Sequence, residues 1–188
     1  PPTPPPPPPT TTPLNLRRQR QMCIRDRLKV LKSSTSQLIA NDALELSLKI
    51  GNNMDKDSLN EGLKIYARAE LLGFQQKYRQ AIDTLAYVLE QFKGQQIEDD
   101  ALFTQAVYYE YLANYSSAEV NLLNLLDFHP ESLLYDDSIF KLGILYRDHL
   151  ADPEKAKLMF ERIIFEFPSS IYLVDARAAF RKLRGDDI

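Results

Sequence analysis

Cysteine occurs once in the 188 residues, at Cys23, and histidine only twice, at His129 and His149. A single thiol makes no intrachain disulfide, and neither histidine has a cysteine or histidine nearby with which to build a zinc site. No apolar run approaches the roughly 20 residues of a membrane span. The opening "PPTPPPPPP" has neither the basic start nor the apolar stretch of a signal peptide. Glycine-rich phosphate loops and Ser-His-Asp arrangements are absent as well. These absences leave no catalytic constellation, so no enzymatic activity, metal or cofactor is expected.

Basic charge is scarce over most of the chain. The formal net charge of −3 hides a split. Residues 1–27 hold five arginines and one aspartate, a net of +4, and nine of the twelve prolines lie in the first 13 residues. The other 161 residues carry 18 basic and 25 acidic side chains, a net of −7. An acidic body argues against nucleic acid as a partner. Without cysteine, that body tolerates either redox compartment.

What is present is a repeat. Four times an apolar pair is followed, twelve residues after its first member, by aspartate and a small residue. The four run from Val30-Leu31 to Asp42-Ala43, Val88-Leu89 to Asp100-Ala101, Leu125-Leu126 to Asp137-Ser138 and Ile163-Ile164 to Asp175-Ala176. The aspartates are 58, 37 and 38 residues apart. Pro130 and Pro168 follow two of the pairs, where a helix must stop. The aspartates fall near the next helix start, where a carboxylate meets free N–H groups and the positive end of the dipole. That placement also explains Asp99-Asp100 and Asp136-Asp137 better than a catalytic carboxylate pair does.

Between these junctions the apolar spacing is helical, as in "ALFTQAVYYEYL" and "SIFKLGILYRDHL". Small residues recur in two series: Ala69, Ala106 and Gly143, then Ala81, Ala118 and Ala156. Matched small residues predict a close helix crossing used three times. The expected class is all-α, in antiparallel helix pairs joined by short loops.

The pattern resembles the tetratricopeptide repeat (TPR) in a slightly lengthened form. Ala69, Ala106 and Gly143 match the small residue of the family's first helix. Tyr109 and Tyr146 match its following aromatic, where the first unit has Leu72. Tyr78 and Tyr115 match the turn aromatic, and Ala81, Ala118 and Ala156 the small residue of the second helix. Leu85, Leu122 and Phe160 fill the bulky position, and Pro130 and Pro168 the closing proline, where the first unit has Lys93. The third unit departs from the pattern around "HLADPEKA", with one extra turn residue and no turn tyrosine. The resemblance implies a right-handed α-solenoid with three TPR-like units over 62–171. A C-terminal capping helix and tail follow over 172–188, with Gly185 as the helix stop. Residues 28–61 form an irregular, truncated first repeat, with loop signals at Gly51-Asn52-Asn53. Endings such as "ERIIFEFPSSIYLVDARAAFRKLRGD" are similar to extracytoplasmic TPR proteins of Gram-negative bacteria, which implies a bacterial cell-envelope location.

"LKVLKSSTSQLIANDAL" aligns without gaps with "RIIFEFPSSIYLVDARA", so Leu28 falls inside the second helix of an earlier repeat. Immediately before it stands "MCIRDR", Met22 to Arg27, which resembles the in-frame translation of a sequencing-library transposon end. Residues 1–27 are therefore expected to be an assembly artefact, with the native N-terminus and its targeting information missing. The rival reading is a genuine disordered arm.

The resemblance also implies a function. TPR arrays hold a peptide or helix of a partner in a concave groove lined by the first helices. In the family frame that face carries Tyr66, Phe103 and Phe140, then Glu70, Val107 and Ile144 one turn on, with Glu110 and Arg147 at the edge. Two readings of the rings stand open. They offer apolar contact to a partner, or they pack between repeats. An open row is removable at little cost to stability. The expected function is a non-catalytic protein–protein interaction scaffold, the C-terminal part of a longer protein. The alternative is the accessory repeat region of an enzyme or sensor whose catalytic domain lies upstream.

Overall fold

The computed structural model describes residues 28, 30, 37–52 and 61–186. The proline-rich arm, the seam at residue 27 and the segment 53–60 lie outside the described residues. The described residues are helical, with no strand among them. The chain divides into two compact units, residues 1–60 and 61–188. In the first, α1 spans Gln37–Asn52. It starts five residues ahead of Asp42 and includes Gly51 and Asn52, the first two residues of the expected loop signal. An exposed glycine within a helix costs only about 1 kcal/mol relative to alanine, so that signal is easily overridden.

The second unit holds α2 (Glu61–Phe74), α3 (Tyr78–Gln91), α4 (Ile97–Tyr111), α5 (Tyr115–Phe128), α6 (Tyr135–Asp148), α7 (Pro153–Glu166) and α8 (Leu173–Arg184). Each helix packs against the next, and α2 also meets α4. Turns of three residues join α2 to α3 and α4 to α5, and four residues join α6 to α7. Such short turns between packed neighbours make antiparallel pairs. The four-residue turn is the extra residue seen in "HLADPEKA".

All three turns close in the same way. Gln76, Ala113 and Ala151 adopt left-handed backbone, with φ of 60°, 55° and 52°. The next N–H in each turn then reaches back to a carbonyl of the first helix: Lys77 to Leu72 at 2.9 Å, Asn114 to Tyr109 at 2.8 Å and Asp152 to Tyr146 at 2.9 Å. These bonds satisfy carbonyls that the helix end leaves free. The residue after the left-handed one opens the second helix. Asn114 and Asp152 accept the N–H of Ser117 at 3.4 Å and of Lys155 at 3.0 Å, and Pro153 occupies the first turn of α7.

The recurring aspartates act differently from these caps. Asp100, Asp137 and Asp175 sit inside the first turns of α4, α6 and α8, where their charge complements the helix dipole. The carboxylate accepting an N–H at the start of α4 belongs to Asp99, from Asp100 at 2.8 Å.

The two small-residue series lie at the crossings. Ala69, Ala81, Ala106, Ala118 and Ala156 are completely buried. A Cβ on Gly143 would stand 2.7 Å from the buried Phe160 ring. The core forms two apolar clusters. One gathers Tyr66, Ile82, Leu85, Val88, Ile97 and Tyr108; the other gathers Leu122, Leu125, Ile139, Leu142, Leu145, Phe160 and Ile163. Between them lies a buried polar chain. Asn121 Nδ2 donates to Gln105 Oε1 at 2.7 Å, and Gln105 Nε2 donates to the Ile82 carbonyl at 3.0 Å. Helix α8 closes the array by burying Ala176 and Ala179. It ends in a basic turn at Gly185, whose φ is 85°.

Candidate interaction surface

Successive first helices of the array are tied together along one face. Tyr66 on α2 donates its hydroxyl to Glu70 Oε1 at 3.0 Å and lies 2.8 Å from Thr104 Oγ1 on α4. Glu110 on α4 pairs with Lys141 Nζ on α6 at 3.1 Å. Tyr172, at the start of α8, donates to Asp137 Oδ1 on α6 at 2.6 Å. Burial raises the pKa of Asp137, against the lowering effect of that hydrogen bond. The seam between first helices is therefore closed by phenol and carboxylate groups as well as by apolar packing.

These ties change the standing of the ring row. Tyr66 is only 1% exposed, so it is core and offers no open ring face. Burial and the nearby Glu70 carboxylate push its phenol well above the ordinary range. Phe140 is half-buried; it stacks on Tyr172 with centroids 4.4 Å apart and meets Phe160 edge-on at 5.8 Å. Phe103 is half-buried and packs on the cluster around Leu122. Glu70 is held by Tyr66, and Arg147 pairs with its own neighbour Asp148 at 2.7 Å. The expectation of an open ring row is thus corrected for Tyr66 and Phe140: the next helix lies close enough to cover them. Val107 and Ile144 keep partial exposure on the same face.

The freely exposed aromatic row lies eight residues further along the first helices. Phe74 is 88% exposed and Tyr111, 37 positions later, is 64% exposed. The corresponding position of the third unit is Asp148. Tyr111 stacks on Tyr78 with centroids 4.8 Å apart, and Tyr78 meets Tyr108 at 5.7 Å. Beside Phe74, a Cβ on Gly73 would fall 2.1 Å from the Tyr108 hydroxyl. Glycine there lets the tyrosine lie against α2. Burial, helped by Glu70, pushes the Tyr108 phenol up to about 12. The 37-residue spacing of Phe74 and Tyr111 was visible in the sequence; their exposure was not.

Charge is distributed unevenly over the array. Residues 94–140 contain nine aspartates and glutamates and no lysine or arginine. One oxygen of Glu110, Oε1, is buried and makes no hydrogen bond. Among the described residues no group of three or more His, Cys, Asp or Glu side chains is placed to hold a metal. Among them too, no helix is long and apolar enough to cross a membrane.

Residues 137–170, from Asp137 on α6 through α7 to the turn beyond it, match the family model of the tetratricopeptide repeat. No curated protein matches the sequence. The chain is similar to a crystal structure of a tetratricopeptide repeat protein from Parabacteroides merdae ATCC 43184. The TM-score is 0.56 and the identity 18%, over 89% of this chain and 61% of that one. The chain thus spans less than two thirds of that protein's length, and identity so low speaks to the fold alone. The repeat model falls on one helix pair whose turn and crossing geometry recurs in the two pairs before it: this chain is a tetratricopeptide repeat protein built as an all-α solenoid.

Proposed function

We propose that the array is a non-catalytic scaffold that holds a peptide or helix of a partner protein along the face on which its first helices meet. Tetratricopeptide repeats are in general protein–protein interaction modules. The observation that carries the reading to this chain is the pair Val107 and Ile144. These apolar side chains sit at equivalent positions of neighbouring first helices, partly exposed, beside the Glu110–Lys141 ion pair. An apolar strip with charged groups at its margin suits an amphipathic segment. A cell-envelope location belongs to the same proposal and rests on the resemblance of the repeat endings.

The test is affinity capture with Val107→Ser and Ile144→Ser. Serine at a half-exposed position keeps the helix. The double variant is expected to lose the captured partner while its helicity and melting stay close to those of the parent. Retention of the partner at parental level would contradict this placement.

A further inference from the structure

The aromatic edge beside the turns of the first two units is not accounted for by the packing of the array. Phe74 is almost fully exposed and Tyr111 largely so, although rings of this size lower the free energy most when buried. They stand at equivalent positions of α2 and α4. Gly73, Tyr108 and Tyr78 connect them: Tyr108 lies against Gly73, Tyr78 against Tyr108, and Tyr111 on Tyr78. Leu112, also exposed, extends the edge beyond Tyr111. The third unit places Asp148 and His149 there instead, so the edge belongs to two units only.

The electrostatic setting is one-sided. Helix α4 and the whole of α5 lie within the 47-residue stretch that carries nine carboxylates and no lysine or arginine. Glu70 is near enough to Tyr108 to act on its phenol. Tyrosine faces attract cations electrostatically, and neighbouring carboxylates add to that attraction. An acidic segment would be repelled from such a surface, and a purely apolar one would gain nothing from the charge.

Resting on the scaffold reading above, we propose that the edge formed by Phe74, Tyr78, Tyr108 and Tyr111 docks a lysine- or arginine-bearing segment of a partner protein, with aliphatic contact to Phe74 and cations over the tyrosine faces.

Binding is measured by fluorescence anisotropy with three labelled peptides of equal length, alternating Lys/Leu, Ser/Leu and Glu/Leu. The Lys/Leu peptide is expected to bind tightest and to weaken as salt is raised. Phe74→Ala combined with Tyr111→Ala should weaken it by about tenfold. Tyr87→Ala, an exposed ring on α3, should leave it unchanged. Far-UV circular dichroism and melting check that the variants fold, and Phe74→Ser alone provides a second, more conservative disruption at an almost fully exposed site. Equal binding of the three peptides, no binding, or binding indifferent to Phe74 and Tyr111 overturns the proposal. Concentration-dependent self-association lost in Phe74→Ser also overturns it, assigning the edge to a second copy. If these peptides fail while capture through Val107 and Ile144 persists, only the turn-edge proposal falls. If both fail, the scaffold reading falls with it.

Discussion

The Phe140 ring lies face to face with the Tyr172 ring, centroids 4.4 Å apart and planes inclined by 13°. Tyr172 also donates to Asp137, one turn before Phe140 on α6. One aromatic pair and one hydrogen bond therefore fasten the entry of α8 to α6. Phe140→Ala removes the stack and the edge contact with Phe160 together. It should destabilise the array by about 3 kcal/mol and speed amide exchange in α8 before other helices. Urea denaturation and hydrogen exchange measure this; an unchanged midpoint with unchanged exchange would show the ring is surface.

The three left-handed turn residues carry a local cost. Gln76, Ala113 and Ala151 hold positive φ with a Cβ present, a conformation about 1–2 kcal/mol less favourable for L-residues. Glycine removes that clash at the expense of a more flexible unfolded chain. Ala113→Gly and Ala151→Gly should each raise stability by about 0.5–1 kcal/mol. The expected result is a higher denaturation midpoint, the reverse of what alanine-to-glycine does inside a helix.

Gly143→Ala should act in the opposite direction. The new Cβ would meet the fully buried Phe160 ring at 2.7 Å. Overpacking costs about 1–3 kcal/mol, and the better helix propensity of alanine returns only about 1 kcal/mol. A net loss of thermal stability is expected from calorimetry.

The Gln105–Asn121 pair gives a sharper test, because its two halves depend on each other. Asn121→Leu leaves the buried Gln105 carbonyl oxygen without its donor, at about 1–3 kcal/mol. The third unit carries Leu142 and Met159 at the corresponding positions, both buried. Gln105→Leu with Asn121→Met should therefore recover most of that loss. A double variant less stable than the sum of the singles would show that the pair is not acting as a unit.

Much of the architecture was legible because it depends on spacing along the chain. Ala69, Ala106 and Gly143 must be small wherever helices cross closely, so their recurrence shows in the letters. The extra residue before Pro153 likewise appears as a longer turn. The turns themselves gave no signal, since glycine is absent from Gln76, Ala113 and Ala151. Helical periodicity identified the face that carries Tyr66, Phe103 and Phe140. It says nothing of how near the next first helix lies, and that distance decides whether a ring is open or covered. Thr104 reaching the Tyr66 hydroxyl and Tyr172 covering Phe140 are contacts over 35 residues or more. The exposure of Phe74 and Tyr111 escaped for the same reason.

The claim that this array binds protein along the face of its first helices is tested most directly by site-specific photo-crosslinking in cells that make the protein. A photoreactive phenylalanine derivative is placed singly at Val107 and Ile144, and, on second helices, at Tyr87 and Val120, both exposed. The account predicts a discrete crosslinked polypeptide from Val107 and Ile144 and none from Tyr87 and Val120. Crosslinks equally strong from all four positions, or only from the second helices, would contradict it.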